Sequence, residues 1–86
     1  MATDNLYVIV VVDGGTALEV LVYDDVRVAR SAYEEMCRRC ETMRGTSRLE
    51  DRFDSDEVSW YRVYWRTGGL KLEITLRRTR FRELHR

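Results

Sequence analysis

The sequence predicts a small α+β domain in which a four-stranded antiparallel sheet carries one long helix on one face. Four short segments are rich in alternating or continuous apolar residues, and one longer segment repeats its apolar residues at helical spacing. Glycine pairs at 14–15 and 68–69 split the strand segments into two hairpins. The predicted order is ββαββ, and one domain spans residues 1–86.

The first hairpin is predicted from residues 6–12 and 16–23. The first run is mostly β-branched, which is typical of a central strand. Gly14 and Gly15 follow Asp13, and glycine adopts positive φ at no steric cost. The return strand alternates, and one of its faces consists of Leu18, Val20 and Val22.

A helix is predicted from about Val26 to Arg44. Asp24 or Asp25 is placed to cap its free amide groups, and Gly45 stands where a helix stop belongs. The residues on its apolar stripe recur at steps of three and four: Ala29, Ala32, Tyr33, Met36, Cys37, Cys40 and Met43. This stripe should pack on the sheet.

Residues 46–57 are predicted to be an acidic connection. Within it, Ser47 and Glu50 match a capping box, which indicates a short helical turn. Strand three is then expected from Val58 to Thr67 and strand four from Leu70 to Arg77. The basic tail, residues 78–86, is expected to be flexible.

We predict the strand order 2-1-3-4, because the most apolar strand should be central. The helix then covers one face and leaves the other to solvent or to a partner. The expected core is formed where the helix stripe meets the strands: Val8, Val10, Val20, Tyr33, Met36, Cys40, Val63 and Leu72.

Charge is distributed unevenly along the chain, although the net charge is zero. Residues 1–26 carry five acidic side chains and no basic one, whereas residues 58–86 carry eight basic and two acidic side chains. Such asymmetry indicates either a charged partner or pairing of the two ends across the sheet.

The residue types needed for common enzyme and metal sites are missing or misplaced. The single histidine, His85, is next to last, so no nucleophile has an evident base. Cys37 and Cys40 lack further zinc ligands and are predicted to be buried, reduced thiols, which fits a reducing cytoplasm. Asp54, Asp56 and Glu57 lack calcium-site spacing. We therefore expect no catalytic residue, metal or cofactor, and no apolar run is long enough for a membrane helix.

Residues 60–66 (WYRVYWR) are the most informative segment for function. Period-two alternation places Trp60, Arg62, Tyr64 and Arg66 on one face, and Tyr61, Val63 and Trp65 on the other. The second set is fully apolar and is predicted to lie under the helix. The first set combines aromatic and arginine side chains, as in binding hot spots and in platforms for single-stranded nucleic acid. Cross-strand packing explains the same pattern without any binding role.

In style, the chain resembles the small phage-borne inhibitors of bacterial CRISPR–Cas systems. The features that carry the resemblance are the ββαββ layout from Leu6 to Arg77, the segregated charge and the lack of a catalytic constellation. The resemblance implies a cytoplasmic protein of a bacterial or phage-infected cell that binds a Cas protein or complex. It also implies that acidic segments could imitate DNA phosphates.

The expected function is thus a non-enzymatic inhibitor that occupies the surface of a partner protein, sterically or electrostatically. The expected contact residues are Trp60, Arg62, Tyr64, Arg66, Asp54, Asp56 and Glu57. Two alternatives stay open: a nucleic-acid-binding module that uses the aromatic and arginine face, and a homodimer formed through the uncovered sheet face or an edge strand.

Overall fold

A computed structural model describes residues 5–43, 45–54, 58–66 and 69–80. These residues form five strands and one helix, in this order: β1 (Asn5–Asp13), β2 (Thr16–Tyr23), α1 (Val26–Glu41), β3 (Thr46–Asp54), β4 (Ser59–Arg66) and β5 (Leu70–Arg80). The α+β class and the antiparallel sheet with one helix are confirmed. The predicted number of strands is wrong.

Local sequence signals place the first hairpin and the start of the helix where expected. Gly14 and Gly15 both adopt positive φ, at 59° and 88°, in the turn between β1 and β2. Asp25 caps α1, because its carboxylate accepts hydrogen bonds from the backbone amides of Arg27 (2.8 Å) and Val28 (3.3 Å). The helix ends at Glu41, earlier than predicted, and Gly45 follows with φ of 79°.

The strand that sequence analysis missed is β3. Its residues were predicted to form an acidic connection with a helical turn at Ser47, yet Thr46 to Asp54 pair with β4 along nearly its whole length. A register shift lies between Arg48 and Glu50. Because β3 is an edge strand, its charged side chains reach solvent or ionic partners, so a polar sequence is compatible with pairing there.

The strand order is β2-β1-β5-β4-β3, not the predicted 2-1-3-4. The additional strand reverses the direction of every strand that follows it. As a result β4 runs parallel to β1 in direction, while β5 runs antiparallel to it. Of the last two strands, only β5 can therefore join β1 in an all-antiparallel sheet, and β5 is the central strand.

The helix packs over the centre of the sheet and forms the core with three strands. The side chains that are buried together are Ile9, Val11, Ala29, Tyr33, Cys37, Cys40, Tyr64, Leu72, Ile74 and Leu76. Predicted burial is confirmed for Tyr33, Cys40, Val63 and Leu72, and Met36 is partly buried.

Burial of Val8, Val10 and Val20 was predicted wrongly. In β1 the odd-numbered residues face the helix, so Val8 and Val10 point to the other face and are only partly buried. Val20 is 56% exposed. Both faces of β1 are apolar, so its own sequence does not distinguish them.

The C-terminal strand continues beyond its predicted end. Arg78, Thr79 and Arg80 belong to β5 and pair with Tyr7, Leu6 and Asn5 of β1. These three residues are therefore not part of a flexible tail, and residues 81–86 lie outside the described residues.

Candidate functional site

The face of β4 that was predicted to be open lies under the helix. Tyr64 is fully buried, and its hydroxyl donates to the Glu41 carboxylate at 2.9 Å, with the Cys37 carbonyl oxygen at 3.4 Å. Trp60 packs against the core and is only partly buried. The assignment of Trp60, Arg62, Tyr64 and Arg66 to an uncovered face is thus wrong.

Ion pairs explain why arginines occupy the covered face. Arg62 lies 3.1 Å from Asp51 of β3 and 3.6 Å from Glu41 of α1, and its side chain is only 18% exposed. Burial is the largest single effect and lowers the pKa of the guanidinium, but the hydrogen bonds to Asp51 and Tyr64 and the neighbouring negative charge together outweigh it, so the pKa is raised. Arg66 pairs in the same way with Asp13 of β1. Each arginine is therefore neutralised by carboxylates from other elements.

Glu41 of the helix contacts side chains of both β3 and β4. Arg48 approaches its carboxylate at 2.7 Å from β3, and Tyr64 donates to it from β4. Desolvation raises the pKa of Glu41, but the hydrogen bonds from Tyr64 and Arg48 outweigh it and hold the pKa below the ordinary value of 4.5. The carboxylate is thus stabilised in its ionised form.

We expect Glu41 to make the fold lose stability at acid pH. Since its folded pKa lies below the unfolded one, its contribution is complete above pH 4.5 and is lost as the pH falls through the folded value. The measurement is the free energy of unfolding against pH for the wild type and Glu41→Gln, and the variant should have the flatter acid limb. Equal slopes would contradict the prediction.

The uncovered face of β4 carries the side chains that were predicted to lie under the helix. Tyr61 donates to Glu73 at 2.7 Å, and the Arg52 guanidinium lies 5.0 Å from its ring centre. Trp65 is 43% exposed, whereas Val63 is buried. An open groove of about 580 Å³ begins here and is lined by Arg52, Phe53, Asp54, Ser59, Tyr61, Thr75 and Arg77.

An exposed aromatic cluster lies at one end of β3 and β4, on the side of the helix. Phe53 stacks on Trp60 with ring centres 4.1 Å apart and an angle of 20°. The Arg30 guanidinium of α1 lies 5.4 Å from the Trp60 ring centre. Phe53 remains 51% exposed, so its ring is available for contact. We call Phe53, Trp60 and Arg30 the aromatic cluster.

Sequence analysis found Trp60 but missed its partner Phe53. The two residues are directly paired in the β3–β4 register, so a strand assignment for residues 46–54 would have brought them together. Asp54, which was predicted as a contact residue, follows Phe53 and is exposed. Asp56 and Glu57 lie outside the described residues.

A second exposed surface lies on the uncovered face of β1 and β2. Leu18, Val20 and Val22 are 61%, 56% and 54% exposed. Val8, Val10 and Val12 lie beside them on β1 and are partly buried. We call these six residues the apolar strip.

The two cysteines are free thiols within the core. Burial raises the pKa of both Cys37 and Cys40, which disfavours the reactive thiolate. Among the described residues, no group of three or more metal-ligating side chains comes together. The single helix of the described chain lacks the length and apolar character to cross a membrane.

Comparison with protein-family models, with curated proteins and with solved structures found no match to this chain.

Proposed function

We propose that this protein is a small non-enzymatic binding domain that acts by occupying the surface of a partner protein. The observation that supports the proposal most directly is the aromatic cluster, in which a half-exposed phenylalanine stacks on a tryptophan whose ring also lies near an arginine. Tryptophan and arginine are enriched in binding hot spots, where a few residues supply most of the affinity.

The cluster is well suited to serve as an anchor because its rings are already ordered. Trp60 also contacts Tyr33, with ring centres 6.1 Å apart, so the stack continues into the core. A pre-ordered side chain loses less conformational entropy when it binds. Asp54 lies beside the cluster as a rim charge, whose main effect would be on the rate of association.

The class of partner that we propose is a Cas protein or complex in the cytoplasm of a bacterial or phage-infected cell. The support is the resemblance in layout to phage-borne CRISPR–Cas inhibitors, together with the segregation of charge along the chain. In this proposal the domain blocks DNA recognition or nuclease recruitment by covering the surface that these steps require.

The first experiment tests the aromatic cluster in cells. The protein is produced in bacteria that carry different CRISPR–Cas systems, and the survival of a targeted plasmid is measured. We expect the wild type to protect the plasmid against one of these systems and Phe53→Ala to lose protection, with an affinity for the effector weaker by about 30-fold or more.

Leu70→Ala is the matched control, because Leu70 is 50% exposed and lies near the opposite end of the sheet. It should protect as well as the wild type. Failure of the wild type against every system would exclude the proposed class of partner. Equal loss in both variants would exclude the aromatic cluster as the anchor.

Binding of nucleic acid through the β4 arginines is not part of the proposal. Arg62 and Arg66 are already paired with carboxylates, and Tyr64 is buried, so these three side chains offer no platform for a nucleic acid. Purified protein should give no salt-sensitive shift of single- or double-stranded oligonucleotides. A tight shift that weakens with salt would overturn the proposed protein-binding role.

A further inference from the structure

The apolar strip lies on the face of the sheet that the helix does not cover, where polar side chains are expected. An antiparallel sheet with one solvated face normally turns its polar residues outward. In β2, Leu18, Val20 and Val22 point away from the helix, whereas Leu21 and Tyr23 pack against the core and the single charged residue, Glu19, is on the helix side. The pattern of β2 thus favours burial of the face that the helix leaves open.

The two edges of the sheet also differ in character. Both outer strands have a register shift, but β3 carries five charged side chains of both signs, as edge strands that remain in solvent usually do. The outer strand β2 has one charged residue in eight. The exposed side chains of Leu18, Val20 and Val22 form a continuous apolar surface with those of β1, of a kind that marks protein interfaces.

We propose that a second copy of this chain covers the apolar strip, with the two sheets packed face to face about a two-fold axis. The six side chains of the strip contain no polar atom, so burying them leaves no unsatisfied donor or acceptor. Val10 and Val20 are paired at its centre, and Val8 and Val22 are paired on one side; on the other side Val12 pairs with Ala17, and Leu18 lies at the register shift next to it.

The arrangement of charge beside the strip identifies the second copy as the occupant. In the β1–β5 register, Arg77 lies beside Val8 and Glu73 lies beside Val12, with Thr75 between them. A two-fold axis that crosses the strands at Val10 places Arg77 of each copy over Glu73 of the other. The same rotation therefore matches the apolar strip with itself and pairs opposite charges twice.

The size of this surface predicts a dimer that dissociates on dilution. Even the whole uncovered face of three strands, spaced by about 4.8 Å and about 30 Å long, covers only roughly 400 Å² in each copy. That is below the roughly 800 Å² per partner of a standard interface. The inference does not depend on the proposed function, because the aromatic cluster lies on the other side of the sheet.

Sedimentation equilibrium over a range of protein concentrations tests the dimer. The wild type should shift from monomer to dimer as the concentration rises. Val20→Lys should weaken dimerisation by at least about a hundredfold, because two unpaired ammonium groups would meet at the centre of the interface. Val28→Lys introduces the same charge at a 51% exposed helix position and should dimerise like the wild type.

Charge reversal tests the two-fold arrangement itself. Arg77→Glu and Glu73→Arg should each weaken dimerisation by about tenfold, and the double variant should recover most of the loss. Thermal unfolding shows that each variant remains folded. The proposal would be overturned if the Val20→Lys variant still dimerised or if the double variant recovered none of the lost affinity. It would also be overturned if the wild type stayed monomeric, and the apolar strip would then be a surface for a different protein.

Discussion

Replacing Ile74 with alanine should lower the free energy of unfolding by about 3–4 kcal/mol. Ile74 is fully buried in the central strand β5, where it lies between Val11 of β1 and Arg62 of β4 in the register. Its loss removes apolar contacts on both sides and leaves a cavity beneath the helix. For a small domain this is a large part of the total stability.

Urea denaturation followed by circular dichroism measures this change, and Leu70→Ala is the control within the same strand. Leu70 is 50% exposed, so its truncation should cost less than about 0.5 kcal/mol. A small effect at Ile74 would contradict the placement of β5 at the centre of the sheet, because an edge position would leave this side chain partly in solvent.

Replacing Arg62 with alanine should cost about 1.5–3 kcal/mol. Its side chain is only 18% exposed and its ion pairs are lost, although the carboxylates of Asp51 and Glu41 keep Arg48 as a partner. Asp51 and Glu41 come from different elements, and Arg62 joins them beneath the end of the helix. The Arg62 guanidinium also lies 5.8 Å from the ring centre of Tyr33, so its removal exposes an aromatic face as well.

Arg52→Ala is the matched control for this prediction. Arg52 lies on β3 and pairs with Glu50, but its side chain is 68% exposed, so the pair is screened by solvent. We expect a loss of less than about 1 kcal/mol, measured by the same denaturation experiment. If both arginines gave equal losses, the ion pairs of Arg62 would not be the reason that β4 turns this face to the helix.

Several elements were predictable because their signals are local. The hairpin at Gly14 and Gly15, the cap at Asp25 and the helix over residues 26–41 follow from turn, cap and periodicity rules that involve neighbours in the chain. Of the candidate site, Trp60 and Asp54 were predicted as contact residues from the sequence, although Trp60 was assigned to the uncovered face.

The predictions that were wrong share a cause: the residues that determine strand pairing and burial at these positions are distant in the sequence. The strand β3 has a polar sequence, and it is stabilised by pairing with β4 and by ion pairs such as that of Asp51 with Arg62. The register that stacks Phe53 on Trp60 follows from that pairing. Because the prediction lacked β3, it gave the later strands the wrong direction and β1 the wrong neighbour.

The sequence by itself determined the α+β fold class, the helix, the first hairpin and the uneven charge, because each depends on periodicity, turn chemistry or composition. The tertiary structure decided which face of each strand is covered. Charge pairing across elements settled that choice in β4, since Arg62 and Arg66 become compatible with the covered face only when Asp51, Glu41 and Asp13 meet them there. Alternation assigns residues to two faces, but the partners brought together by folding decide which face is buried.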